Sequence, residues 1–286
     1  MRQKINEFLA KIFFKSPKII FINFYRIFLR KKVFNIKRLP ENKPAILAIN
    51  HATGADSIII LASIRKKIIF LADSRCFETR FTNFFFRKIT DCIPLFKKQF
   101  TKNLTSFKKI FEVFNISKKK NKNVLLGIFP EGKLNKEENL DEFYKGSAYL
   151  SYKMELPVIP VYLSNIFKGP VKKKWYIRRP VLEGFITIFA NLFKKIHIFI
   201  GEPINPLAEN IIDDFNDLID KNTNKEIIEK INISIKEEFN KLENEAKLIL
   251  KELSNEESFY NKNDNAITIS SESEDPTGDS LTEEYI

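Results

Sequence analysis

At 286 residues and 44% hydrophobic, the chain is long enough for one substantial core and too short to require two full domains. Its formal charge of +12 comes with no zinc-finger spacing, RNA-recognition signature or helix-turn-helix pattern. That argues against nucleic acid and leaves an anionic lipid surface or a polyanionic substrate, such as a phosphate ester or coenzyme A, as the partner.

The charge is unevenly placed. Residues 1–38 hold eleven Lys or Arg against the single acid Glu7, and residues 255–286 hold nine acids against one Lys. The N-terminal stretch interleaves Phe8, Leu9, Ile12 and Phe13, then Pro17 and the run Ile19 to Tyr25, with Lys11, Lys15, Lys18 and Arg26. A spanning helix needs roughly 20 apolar residues, and these cations interrupt the run too often. No charge-free stretch with a small-residue cleavage site marks a signal peptide. Residues 1–36 therefore read as one or two helices lying in a membrane interface, hinged near Ser16-Pro17, with aromatics in the acyl region and cations on lipid phosphates. A helix packed on the protein's own core is the alternative.

From Leu39 the pattern alternates. It predicts a strand over 45–49, a helix over 56–64, a strand over 67–71, a helix over 81–89 and a strand over 92–96. A helix over 102–114, a strand over 123–129, a helix over 146–153 and a strand over 158–163 follow. Such alternation implies an α/β domain with a mainly parallel sheet flanked by helices. Residues 165–195 are basic and poor in acids, and suggest a hairpin and a surface helix close to a membrane. Over 225–253, Ile228, Ile231, Ile235, Phe239, Leu242, Ala246 and Ile249 step by three or four along one amphipathic helix. The expected organisation is thus an interfacial segment 1–36, a domain 37–253, and an acidic disordered tail 254–286.

Two motifs carry chemistry. His51, one of two histidines in the chain, follows the strand Ala45–Ile49, and Asp56 lies five positions on at a helix start. A histidine backed by a carboxylate can take a proton from a hydroxyl near neutral pH. Equally, His51 alone would pass as a loop residue and Asp56 as an ordinary helix-start acid. Later, Val124–Ile128 runs into Phe129-Pro130-Glu131-Gly132-Lys133, which by itself is good turn chemistry. His197 lies inside an alternating strand and reads as structural. Cys76 and Cys92 read as buried hydrophobes, and no metal-ligand set is expected.

His51-x4-Asp56, Phe129-Pro130-Glu131-Gly132 and Pro157-Val158-Ile159-Pro160-Val161, in that order, resemble the glycerophospholipid acyltransferases, in particular the PlsC-like 1-acylglycerol-3-phosphate acyltransferases. Asp91 to Lys97 is similar to the family's second block, usually Gly-x-Ile-x-x-x-Arg, and Ile196 to Ile204 to its closing strand and Gly-Glu-Pro turn. The resemblance spans roughly residues 36–206. It implies a glycerolipid acyltransferase fold with an N-terminal membrane anchor, at the cytoplasmic face of the membrane. It further implies transfer of an acyl chain from acyl-CoA or acyl-carrier protein, as co-substrate and with no cofactor, to the hydroxyl of lysophosphatidic acid or a related lysolipid. His51 would be general base and Asp56 its orienting carboxylate. Glu131 would position the acceptor's glycerol part, the Gly132 turn would offer an amide to the oxyanion, and Lys97 and Lys133 would meet the acceptor phosphate. Three places depart from the pattern: Asp91 replaces Gly, Lys97 replaces Arg, and Lys133-Leu134 replaces Thr-Arg. These departures leave other acceptors open, namely glycerol-3-phosphate or another lysophospholipid. A non-catalytic membrane-binding protein that keeps the fold is the rival of another class.

Overall fold

The structure is a computed structural model and describes residues 17–96, 100–134, 143–168, 180–206 and 221–271. Its centre is a seven-stranded sheet: β1 (Lys31–Phe34), β2 (Ala45–Ile49), β3 (Lys67–Asp73), β4 (Cys92–Leu95), β5 (Val124–Ile128), β6 (Val158–Ser164) and β7 (Ile196–Ile200). The spatial order is β1-β7-β6-β2-β5-β3-β4. Every neighbouring pair is parallel except β6 with β7, so the sheet is mostly parallel but mixed.

The central strands read as unbroken apolar runs because both faces are covered. β2 and β5 are buried at every position. Alternate residues feed opposite cores. Ala45, Leu47 and Ile49 join one cluster with Ile58, Ile59 and Ile188, whereas Ile46 and Ala48 join the other with Leu150, Ile231, Ile235 and Phe239. The first face is covered by α1 (Pro17–Phe28), α2 (Asp56–Ser63), α3 (Arg80–Phe84) and α6 (Pro180–Ala190), the second by α4 (Phe100–Lys119), α5 (Gly146–Met154) and the first part of α7 (Lys221–Ser271). Pro94 is tolerated within β4 because that strand is an edge.

The described residues add detail to the sequence expectations. Within 1–36 the described residues form α1 and β1: β1 pairs with β7, and Ile22 and Tyr25, with Leu29, are buried in the first core, so α1 is packed on the protein along one side. Residues 1–16 lie outside the described residues. The helix expected over 81–89 is α3 followed by a π turn over Phe85–Ile89, in which the Thr90 N–H reaches the Phe85 carbonyl. Of the basic stretch 165–195, where a hairpin and a surface helix were expected, the described residues show α6 and a short 3₁₀ turn; 169–179 lie outside them. Finally, α7 continues to Ser271, past the expected start of the tail at 254, since extending an existing helix is far less costly than starting one. Residues 272–286 lie outside the described residues. The chain divides into two compact units, residues 1–243 and 244–286, and the second consists, as far as described, of the distal part of α7.

Candidate active site

β2 and β5 are adjacent and parallel, with Ala48 opposite Ile128, so the segments that follow them emerge side by side at one edge of the sheet. From β2 the chain crosses by α2 on one face, and from β5 it reaches β6 by α5 on the other. Connections that part in this way open a crevice beyond the carboxyl ends of the strands, where open α/β sheets place their sites. His51 and Phe129 to Glu131 stand there.

Asn50 ends β2 by pairing its side chain with β6. Its Nδ2–H donates to the Leu163 carbonyl at 3.1 Å, and its Oδ1 accepts the Leu163 N–H at 2.7 Å. The next residue, His51, is thereby turned out of the sheet. Thr53 shapes the turn before the helix, its Oγ1 accepting the Ala55 N–H at 2.8 Å. Asp56, first residue of α2 and fully buried, reaches back: its Oδ2 lies 2.9 Å from His51 Nδ1 and accepts the N–H groups of Ala52 and Thr53 at 2.8 and 2.9 Å. The helix N-terminus favours its negative charge. With Nδ1 facing a carboxylate, Nδ1 carries the proton and Nε2 keeps its lone pair. Nε2 makes no hydrogen bond among the described residues, and the side chain retains 23% exposure, so the basic nitrogen faces the crevice.

The turn after β5 grips the same histidine from two sides. Glu131, 3% exposed, accepts the His51 backbone N–H on Oε1 at 2.8 Å. Phe129 stacks its ring on the imidazole, centroids 4.0 Å apart and planes 20° apart. Gly132 adopts φ 60°, the left-handed turn conformation, with Tyr144 packed where a side chain would start. The Gly132 N–H donates to the Phe129 carbonyl at 3.0 Å. That amide is committed within the turn.

The helix bearing Asp56 is fixed at its other end by α1. Arg26 donates from Nε to the Ala62 carbonyl at 3.0 Å and from a terminal nitrogen to Leu61 at 3.2 Å, capping α2. Burial and the neighbouring Arg65 lower the Arg26 pKa. Tyr25 donates its hydroxyl to the Ile188 carbonyl of α6 at 2.8 Å; burial, then the Asp56 charge, raise its phenol well above the usual range. Cys92 is buried and its thiol is pushed up to about 12, chiefly by desolvation, which makes it unreactive. His197 is buried in β7 beside Phe34, opposite Ser164 of β6.

Of the residues singled out from sequence, His51, Asp56, Glu131 and Gly132 come together. Lys133 is exposed at the end of the same turn, and Lys97 lies outside the described residues. Asn50, Phe129 and Arg26 were missed. Asn50 directly after a buried strand and before the histidine was the visible signal; the other two contacts are tertiary.

Residues 30–164 match the model of the acyltransferase family. They form an acyltransferase domain. The match takes in β1 to β6 and both halves of the site. A Mycoplasma pneumoniae protein, named a probable 1-acyl-sn-glycerol-3-phosphate acyltransferase, is 25% identical over 212 residues, covering 70% of this chain and 74% of that one. Among solved structures, the 1-acyl-sn-glycerophosphate acyltransferase PlsC of Thermotoga maritima is similar over 83% of each chain, with 18% identity and a TM-score of 0.42.

Proposed function

We propose that this acyltransferase domain transfers a fatty acyl chain from acyl-CoA or acyl-carrier protein to the free hydroxyl of 1-acylglycerol-3-phosphate, giving phosphatidic acid. The observation that carries the reading is the His51–Asp56 pair: Nδ1 on a fully buried carboxylate, Nε2 open to the crevice. The thioester donor is already activated, so the difficulty is the neutral alcohol. His51 Nε2 takes the hydroxyl proton as the acceptor oxygen attacks the thioester carbon. Asp56 holds the ring in that tautomer and stabilises the imidazolium, and the proton then passes to the leaving thiolate. No protein nucleophile is required, since the acceptor alcohol fills that role. Glu131 braces the His51 backbone and stands beside the acceptor's glycerol part. Lys97 and Lys133 meet its phosphate as point charges, without arginine's bidentate fork.

The acceptor arrives from a membrane. α1, α3 with its π turn, and α6 with its 3₁₀ turn pack side by side through Phe21 on Phe85, Phe81 on Phe185 and the Tyr25–Ile188 bond, and leave Ile27, Phe28, Phe84 and Phe193 exposed. Among the described residues no helix is long and apolar enough to cross a membrane. Exposed apolar side chains amid Lys and Arg suit peripheral docking on an anionic surface at the cytoplasmic face. The test is product analysis by mass spectrometry, with lysophosphatidic acid, glycerol-3-phosphate and several lysophospholipids offered against acyl-CoA and acyl-carrier protein. Phosphatidic acid as the main product supports the reading; acylation of another acceptor at higher kcat/KM replaces it.

A further inference from the structure

The column of rings under His51 has no part in the chemistry described above. Phe129 lies face to face with the imidazole at 4.0 Å, and Phe70 lies behind Phe129, centroids 5.9 Å apart and planes 13° apart. Phe70 is itself buried in β3, opposite Gly127 of β5. A Cβ on residue 127 would lie 2.4 Å from Phe70 Cε1 and 2.5 Å from Cδ1. Gly127 thus supplies the space for Phe70, Phe70 backs Phe129, and Phe129 sets the plane of His51.

We infer that Phe129 is a positioning residue for the general base, resting on the proposed role of His51. Asp56 fixes one ring nitrogen, which leaves the imidazole able to rotate about its own axis; a ring on its face removes that freedom. When His51 takes the acceptor's proton it becomes a cation lying on an aromatic face, a favourable arrangement that exists after proton transfer and not before it. An interaction stronger in the transition state than in the ground state raises kcat rather than lowering KM.

The test compares Phe129→Leu, Phe129→Tyr and Gly127→Ala with wild type in full-length protein, using the acceptor and donor that give turnover. Phe129→Leu keeps an apolar side chain but removes the ring, and should lower kcat by roughly 2- to 30-fold with both KM values within twofold. Phe129→Tyr retains the ring face and should recover at least half of the wild-type kcat. Gly127→Ala pushes the column from below and should lower kcat in the same direction. A readout independent of activity is the proton NMR signal of the His51 ring, assigned with His51→Gln: stacking shifts its ring protons upfield, and Phe129→Leu should return them towards the values of free histidine. Unchanged kcat in Phe129→Leu, or an equal loss in Phe129→Tyr, overturns the inference. So does an unshifted His51 signal in the wild type. If His51→Ala itself keeps its turnover, the acyl-transfer role of His51 fails instead, and the two failures are told apart by that control.

Discussion

Replacing Asp56 by Asn tests the reasoning at its most constrained atom. Oδ2 receives three groups: His51 Nδ1 at 2.9 Å and the Ala52 and Thr53 amides at 2.8 and 2.9 Å. An Asn oxygen in that place can keep both amides. It offers no charge, and a hydrogen bond to a neutral group contributes about 1 kcal/mol less than one to a charged group. Part of that loss is offset because a buried charge is no longer desolvated, which leaves a net cost of about 1–3 kcal/mol. Melting should fall by about 2–4 °C per kcal/mol for a domain of this size. The catalytic cost is larger. With a neutral oxygen in that place, no charge stabilises the imidazolium that forms as Nε2 takes the acceptor's proton, and the hold on the ring tautomer weakens. The corresponding swap in a Ser-His-Asp triad costs about 10⁴ in kcat, and a loss of about 10²–10⁴ is expected here. Initial rates would be followed by thiol release for wild type, Asp56→Asn, His51→Ala and the double variant. Because Asp56 acts through His51, the double variant should be no slower than His51→Ala. Multiplicative losses, or more than a tenth of wild-type kcat in folded Asp56→Asn, would refute the coupling.

Three further outcomes are expected. Lys97→Met and Lys133→Met should each raise the acceptor's KM several-fold while leaving the donor's KM near wild type, and equal effects on both substrates would remove them from the phosphate site. Tyr25→Phe should cost about 0.5–1.5 kcal/mol in denaturant unfolding by leaving the Ile188 carbonyl without its partner. Since the folded phenol titrates above the unfolded one, the stability it contributes is complete below the ordinary Tyr value of about 10 and is lost as pH rises beyond it. The wild type should therefore lose more stability than Tyr25→Phe above that pH. Substituting Ile27, Phe28 and Phe193 together by Ser should weaken co-sedimentation with anionic vesicles by at least tenfold at unchanged melting temperature, as these side chains are 77%, 55% and 82% exposed. Unchanged pelleting would place the membrane surface elsewhere.

The strands and helices of the central domain were legible because burial on both faces writes unbroken apolar runs such as Ala45–Ile49, and helices write a 3.6 period. β1 was not. Lys31-Lys32-Val33-Phe34 is an edge strand whose charged residues can face water, so it reads like the cationic stretch before it. The same ambiguity hid α1's double role, with Ile22 and Tyr25 in the core and Ile27 outside. At the site, the His51–Asp56 pairing follows from local spacing and was visible. The ring stack of Phe129 on His51 depends on which strands lie side by side, and no local pattern carries that information.

The Asn50 side chain has a consequence for what position 50 can hold. It presents a donor and an acceptor at once to the N–H and C=O of a single β6 residue, standing in for one rung of the sheet. A carboxylate in its place would put an acceptor oxygen against the Leu163 carbonyl, a hydroxyl would be too short to span both groups, and an apolar residue would leave two buried backbone groups unsatisfied. Residue 50 is in effect a forged link of backbone, and it lets the chain leave the sheet one step before His51 without fraying the edge beside which that histidine stands.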